Sequence, residues 1–486
     1  MVPILIGSQT GNGLHLAKLL NKEIPNTFTL AINEFDILKI NEFPFIIFIM
    51  STHGDGQCPF NMSRMYNLLV SQGAKKHNKD SLLFNFKFAM LGLGDSSYQK
   101  YNYCARICSE KMQHLGAKCI VQELCDSQDP NGMYDGYRRF KESIAAIYSS
   151  ELCSNLTGES VKNENIKKYK AKIVSNRELT PQGYEHMVYE IIFDIPEYID
   201  FYPGDCLSIV PENTIDLREY FNFPDNQIEF LRKNIDFFAT VQQTSFIELS
   251  SFTDSDVFRE KLLEISQDYD LYYDYVIIPR RNIIEIIEDF KLGVTFDFLK
   301  GLNSIYPRYF SCTMTQEQGN GESRARYHVL YNIVRYKTYL DKERLGLCSQ
   351  YLTTLAPGDC INIGVTRSSL FFEEKNLLFF ATGTGVTLPR SVIHFFKHKT
   401  VKIFYGFRYY DKDQLCKEEF SENVDITYVA SRDEKKYIMD AYRESPVDNI
   451  DSWLVFASGN CRINRSVHQV LKDVHGKDVV FQSETW

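Results

Sequence analysis

An apolar run, Ile4 to Gly7, leads without interruption into Gly7-Ser8-Gln9-Thr10-Gly11-Asn12-Gly13, and an amphipathic stretch, Leu14 to Leu20, follows it. Few folds use this order. A strand that delivers hydroxyls and bare backbone amides to the first turn of a helix makes a site for a terminal phosphate, held by dipoles without lysine or arginine. The succession recurs. Phe45 to Met50 opens into Ser51-Thr52-His53-Gly54-Asp55-Gly56, and Phe86 to Leu91 into Gly92-Leu93-Gly94-Asp95-Ser96-Ser97-Tyr98-Gln99-Lys100-Tyr101-Asn102. Lys118 to Glu123 reads as a fourth strand, and Met62 to Val70 and Cys104 to Leu115 read as helices. Strands alternating with helices predict a parallel sheet wound on both faces, with ligands at the strand carboxyl ends, where these three loops lie.

The chain has 486 residues, more than one core accommodates, and domains of roughly 150 residues predict about three. Residues 149–168 are polar and without apolar periodicity, which predicts a linker. From Tyr169 the texture changes to shorter β-like runs, Ala171 to Val174, His186 to Phe193, Asp205 to Val210 and later Tyr327 to Tyr336, which predict a β-barrel. Residues 215–300 interrupt it with amphipathic segments such as Phe258 to Ile265 and Ile283 to Phe290, a helical insertion. Beyond about residue 370, Asn376 to Phe380 leads into Ala381-Thr382-Gly383-Thr384-Gly385, and Val401 to Tyr405, Asp425 to Val429 and Ser452 to Ala457 follow. These predict a second doubly wound sheet.

The net charge is −9, and because residues 1–150 sum to +2 it is carried by the remainder. The short lysine runs, Lys75-Lys76 and Lys167-Lys168, lack interleaved aromatics and read as solvated loops, so nucleic acid is not an expected partner. The 12 cysteines are scattered with no C-x-x-C pair, a pattern expected of reduced thiols in a cytoplasmic protein, and no metal site is expected. No signal-peptide pattern precedes the body of the chain, and the longest apolar stretch, Phe43 to Met50, is far short of a membrane span, so no membrane anchor is expected.

The loops after the second and third strands resemble those of the flavodoxin-like FMN domain of diflavin reductases. That resemblance implies that Ser8 to Gly13 bind the FMN phosphate and that Thr52, His53, Gly54, Asp55 and Leu93 to Asn102 flank its ring. Tyr98 is expected against the ring, with Tyr101, Asn102 and Asp126 nearby. Arg308-Tyr309-Phe310-Ser311 matches the family's R-x-F-S signature. There the guanidinium pairs with the FAD diphosphate as a planar fork, the aromatic packs on the flavin and Ser311 reaches its reactive nitrogen. Gly346-Leu347-Cys348-Ser349 matches the second FAD element, and Arg281 of Pro279-Arg280-Arg281 is implied as an adenine-side contact. Thr382-Gly383-Thr384-Gly385-Val386 resembles the nicotinamide-dinucleotide loop, with Ala381 in place of its first glycine and Thr387-Leu388-Pro389 in place of A-P-[FLM]. Ser431, Arg432, Lys435, Lys436 and Tyr437 gather a hydroxyl, a guanidinium and ammonium groups suited to a 2′-phosphate, which favours NADPH over NADH, and Met439 stands where the family has Gln.

The family carries out hydride transfer with a serine near FAD, a thiol in a C-G-[DN] turn and an acid near the end of the chain, and here Ser311, Ser458 and Glu484 align with them. Trp486 resembles the aromatic residue that covers the flavin ring until nicotinamide displaces it. The resemblance runs the whole chain in one order. It implies a multidomain α/β protein: a flavodoxin-like FMN domain at 1–148, a linker at 149–168, an FAD-binding antiparallel β-barrel with helical insertion at 169–368, and a ferredoxin-reductase-type NADP-binding domain at 369–486. It is closest to the cytosolic, NADPH-dependent branch that serves iron–sulfur protein assembly. The implied relay runs from NADPH to FAD to FMN to a protein acceptor, an anamorsin-type iron–sulfur protein. Two alternatives stand beside it: a reductase for a haem monooxygenase or methionine synthase, and a redox-inactive scaffold, suggested by the altered loop from Ala381 to Pro389. The mildly positive first 150 residues predict an acceptor surface that is acidic or largely apolar.

Overall fold

The computed structural model describes the chain except for residues 1, 9–11, 36, 53–55, 57, 64, 67, 68, 70–82, 84, 85, 130, 131, 150–167, 320, 321, 369, 374, 397, 398, 421–423, 461 and 486. It divides into two compact units, Met1–Glu164 and Asn165–Trp486. Nearly all of the expected linker at 149–168, and Arg64, Asn67, Leu68 and Val70 of the helix expected at Met62 to Val70, lie outside the described residues, while Ser63, Met65, Tyr66 and Leu69 are helical.

In the first unit, β1 (Val2–Gly7), β2 (Thr27–Ala31), β3 (Ile46–Ser51), β4 (Lys87–Gly94) and β5 (Lys118–Asp126) form one parallel sheet in the order β2-β1-β3-β4-β5. The continuous apolar runs follow from burial on both faces. Leu5, Phe48, Phe88 and Met90 enter one core, with Cys108 and Met112 of α2 (Tyr103–His114). Ile4, Ile6, Ile47, Ile49 and Leu91 enter the other, with Leu16 and Leu20 of α1 (Asn12–Glu23) and Phe140 and Ile144 of α3 (Met133–Ser149). The strand order reverses between β1 and β3, which makes their carboxyl ends the switch point where such sheets bind ligands. Strand β2 escapes a reading based on buried runs because all five of its residues are half-buried, as suits a sheet edge.

In the second unit, β6 (Lys168–Glu178), β7 (Val188–Asp194), β8 (Cys206–Ile209), β9 (Arg308–Gly319), β10 (Glu322–Asn332) and β13 (Cys360–Thr366) close an antiparallel barrel in the order β10-β7-β6-β13-β8-β9. A short hairpin, β11 (Arg335–Lys337) with β12 (Glu343–Leu345), splits the longer strand expected at Tyr327 to Tyr336. The insertion is helical and has its own apolar core. It includes α4 (Asp225–Asn234), α5 (Asp256–Gln267) and α6 (Ile283–Phe290), the last started by a capping box in which Asn282 and Glu285 satisfy each other's backbone amides. Helix α7 (Leu347–Thr354) follows the hairpin.

The second sheet is parallel in the order β16-β15-β14-β17-β18, from β14 (Asn376–Thr382), β15 (Val401–Phe407), β16 (Asp425–Ala430), β17 (Trp453–Gly459) and β18 (Gln482–Thr485). Helix α8 (Thr387–Phe395) leaves the glycine loop, and α9 (Ile438–Glu444) and α10 (Ile463–His475) cover the sheet. Among the described residues no helix is long and apolar enough to cross a membrane, and the described cysteines are free thiols.

Candidate functional site

In the first unit the three loops converge at the carboxyl ends of β1, β3 and β4. The Ser8 amide donates to Asn61 Oδ1 (3.0 Å), and the Ser8 hydroxyl accepts the Gly13 amide (3.2 Å), which ties Ser8 to the start of α1 and to the segment after β3. Thr52 Oγ1 accepts the Cys104 amide (3.1 Å), which ties the second loop to the first turn of α2. Asn102 takes a left-handed conformation (φ 51°), is fully buried, and donates to the Cys125 carbonyl (2.9 Å), while Tyr101 donates to that of Leu124 (2.8 Å). These two expected ring contacts hold the third loop onto β5. Asp126 Oδ1 accepts the Ser96 and Gln128 amides, and Asp95 accepts from Ser97 and Gln128. Burial would raise the Asp95 carboxyl, but the hydrogen bonds from Ser97, Ser127 and Gln128 outweigh it and hold it below the ordinary value. Above this framework Tyr98 is 64 % exposed. An exposed tyrosine ring in the loop after a central strand, at the carboxyl ends of a parallel sheet, fits a planar ligand. Gln9, Thr10, Gly11, His53, Gly54 and Asp55 lie outside the described residues.

In the second unit Ser311 on β9 lies opposite Cys206 on β8, and the Ser311 hydroxyl donates to Glu484 Oε1 on β18, which the Cys206 thiol approaches at 3.7 Å. Glu484 as a residue is half-buried, yet its Oε2 is sealed from solvent with no hydrogen-bond partner among the described residues. Burial raises the Glu484 carboxyl to about 7 against the lowering pull of Ser311 and Cys206. Glu484 is the register partner of Ser458, which is fully buried and donates its hydroxyl to the Gly385 carbonyl (2.8 Å). The three residues expected to act together are thus linked: Ser311 to Glu484 directly, and Ser458 through the sheet register. Trp486 lies outside the described residues.

The remaining groups surround this line. Arg308 donates to the Tyr306 carbonyl (2.7 Å) and lies 3.8 Å from the Asp236 carboxylate, with 41 % of its side chain exposed. Phe310 is half-buried and pairs with Leu207, and Tyr309 pairs with Ser208. Gly346 precedes α7, whose first-turn amides come from Leu347, Cys348 and Ser349, and the Ser349 hydroxyl accepts the Val334 amide while donating to Gly346, so it shapes the turn. Arg281 is paired with Asp289 and stacks on Tyr275 at 4.4 Å, which commits it to the insertion.

A cleft of about 600 Å³ opens at the carboxyl ends of the second sheet, and Thr384, Ser431, Tyr437 and Met439 line it. Lys436 and Arg462 also line it, whereas Arg432 and Lys435 are exposed and do not. Lys435 adopts a left-handed turn conformation (φ 53°), and its neighbour faces the cleft. Arg462 was missed, although a cation directly after the β17 loop Ser458-Gly459-Asn460 was a usable signal. A glycine loop, hydroxyls and the cations Arg408, Lys436 and Arg462 around one cleft, which Asp413 also lines, fit a phosphorylated dinucleotide.

Residues 4–140 match the family model for flavodoxin. The chain is 26 % identical to NADPH-dependent diflavin oxidoreductase 1 of Danio rerio, over 100 % of this chain and 99 % of that protein. It is also 26 % identical to the proteins of that name from Gibberella zeae, over 91 % and 89 %, and Saccharomyces cerevisiae, over 90 % and 88 %. With two doubly wound sheets and a barrel, and with relatives matched over nearly their full length, the chain is similar throughout to the NADPH-dependent diflavin oxidoreductases.

Proposed function

We propose that this chain is an NADPH-dependent diflavin oxidoreductase carrying FMN and FAD, which passes electrons from NADPH through FAD and FMN to a protein acceptor. In its finer form the proposal is that the acceptor is an anamorsin-type iron–sulfur protein of cytoplasmic iron–sulfur cluster assembly. Bound flavins supply the conversion of a two-electron donor into single-electron deliveries. The observation that carries the reading is the continuous line from the dinucleotide loop to the barrel, Gly385 to Ser458 to Glu484 to Ser311. It joins a cleft for a nucleotide to an acid and a hydroxyl on the strand that carries the flavin signature.

Ser8 and the first-turn amides of α1 would hold an FMN phosphate, and the exposed Tyr98 would offer an aromatic face to its ring. Arg308 and the first turn of α7 hold the FAD diphosphate, while Ser431, Lys436 and Arg462 take the 2′-phosphate of NADPH. Ser311 keeps its hydroxyl proton directed at Glu484 Oε1. Ionised Glu484 offsets the positive charge left on the nicotinamide ring. Ser458 acts as a positioning residue, joining the loop to the acid, and Trp486, which lies outside the described residues, would supply an aromatic face to a bound flavin.

The test is the absorbance spectrum of the purified protein with its released flavins quantified, followed by anaerobic addition of NADPH and, separately, NADH. One FMN and one FAD per chain, bleached faster by NADPH, are expected; bound flavin that neither nucleotide bleaches would overturn the reading. Supplying an oxidised anamorsin-type protein to the NADPH-reduced enzyme then tests the acceptor. Cluster reduction is expected, and its failure alongside rapid reduction of a small-molecule acceptor would overturn the finer assignment.

A further inference from the structure

Helix α8 begins where the glycine loop ends, and its fourth residue, Arg390, is 1 % exposed. Its Nη2 donates to Glu190 Oε1 on β7 (2.8 Å), and its Nε and Nη2 grip the carboxylate of Glu419 (2.7 and 2.6 Å). His328 Nδ1 on β10 lies 3.3 Å from the same Nη2, and His328 Nε2 pairs with Thr315 on β9 (2.9 Å). Arg177 on β6 meets the other oxygen of Glu190 at 3.0 Å. Four barrel strands therefore converge, directly or through one intermediary, on a guanidinium that belongs to the second sheet. Nearby, Thr313 on β9 donates to the Thr387 carbonyl (3.3 Å) at the start of the helix. None of these groups touches the cleft or the Ser311–Glu484 pair.

A buried ion network of this kind is weak evidence for stability, because desolvation cancels much of the attraction; fixing one geometry is the better-attested use. The planar guanidinium suits that use, since it meets two carboxylates only in a narrow range of orientations. Apolar side chains alone tolerate sliding that such a fork does not. We propose that Arg390 is a positioning residue that fixes helix α8, and with it the loop at residues 383–386, against the barrel strand carrying Ser311. A nucleotide in the cleft is then held at reacting distance from the Ser311–Glu484 pair. The proposal rests on the hydride-transfer reading above, and misplacement of reacting groups by about 1 Å costs on the order of 100-fold in rate.

The test compares full-length wild type with Arg390→Met, Arg390→Lys and Glu419→Gln. Arg390→Met is expected to retain FAD and to bind 2′,5′-ADP, a fragment that fills the cleft without needing alignment, within about 3-fold of wild type, while flavin bleaching at saturating NADPH slows on the order of 100-fold. Arg390→Lys should recover about 10-fold of that loss, the share that charge without the fork supplies. Glu419→Gln, at the half-exposed end of the network, keeps the protein folded if Arg390→Met does not and should slow bleaching by roughly 5-fold. Amide hydrogen exchange of residues 383–388 in the nucleotide-free protein should accelerate in each variant. Unchanged bleaching and unchanged exchange in a folded variant would overturn the proposal, as would a rate loss matched by an equal loss of 2′,5′-ADP affinity. A wild-type protein that binds flavin but is not bleached would instead overturn the functional reading, leaving hydrogen exchange to decide the role of Arg390.

Discussion

The two sheets end their first ligand-facing strands in the same way, with a glycine loop leading into a helix, but they hold that loop by different means. After β1 the neighbours are side chains: a Cβ on Gly7 would meet Met62 Sδ at 2.4 Å, and Ser8 is held by the amide side chain of Asn61. After β14 the neighbours are backbone: a Cβ on Gly385 would lie 2.3 Å from the Ser458 carbonyl oxygen. Thioether carbons move cheaply, whereas a strand in mid-sheet does not. The carboxylates beside the loops diverge as well. Asp95 is surrounded by donors and held below its ordinary value, and Glu484 is sequestered and raised to about 7. Environments that push two acids apart in this way equip one for permanent charge and the other for gaining and losing it.

Glu484 should show the largest effect. Its folded value lies above the unfolded one, so the stability it contributes is complete below about 4.5 and is lost as pH rises through about 7. The fall should be on the order of 3 kcal/mol between pH 5 and pH 8 and should be absent in Glu484→Gln, as read by denaturant unfolding at the two pH values. A wild type that is flat across that range would erase the contrast with Asp95. Next, Gly385→Ala should cost about 3 kcal/mol and Gly7→Ala about 1 kcal/mol in thermal or denaturant unfolding. Equal costs would break the distinction between a backbone-packed and a side-chain-packed loop. Lys436→Ala should raise the KM for NADPH about 10-fold, roughly 1.4 kcal/mol, with the KM for NADH unmoved. A parallel rise in both would detach the ammonium from the 2′-phosphate. The smallest effect belongs to Asp95→Asn. Because the folded value is depressed, the stability Asp95 contributes is present above about 4 and lost on acidification, so the variant should narrow the gap from wild type only in acid, by a few tenths of a kcal/mol.

Both parallel sheets were legible because their central strands are buried on two faces and so are apolar without interruption, as in β3 and β14. Helix α6 spans the residues its periodicity predicts, Ile283 to Phe290. The sheet edges were not legible: β2 is half-buried throughout, and β18 is four residues long and carries no apolar run. At the candidate sites, loop motifs located Ser8, Thr384 and Ser311, where residue type and local position suffice. The choice of Lys436 over Lys435 turns on a single left-handed residue, which composition does not reveal. Arg390 and its partners carried no local pattern. Glu190, His328 and Glu419 come together only after strands far apart in the chain have been placed.

That placement bears on how the molecule is made. Arg177 with Glu190 and Thr315 with His328 are hairpin neighbours 13 residues apart, whereas Arg390 meets Glu190 across 200 residues and His328 across 62, so loop closure must be nearly complete before the guanidinium is paired with the barrel. Until then Arg390 is a desolvation penalty awaiting its partners. An assembly in which the second sheet docks on the barrel one helical turn out of place leaves that charge buried and unmatched. The same cluster therefore sets the docked arrangement apart in energy from its near misses, which would leave a buried guanidinium without its carboxylates.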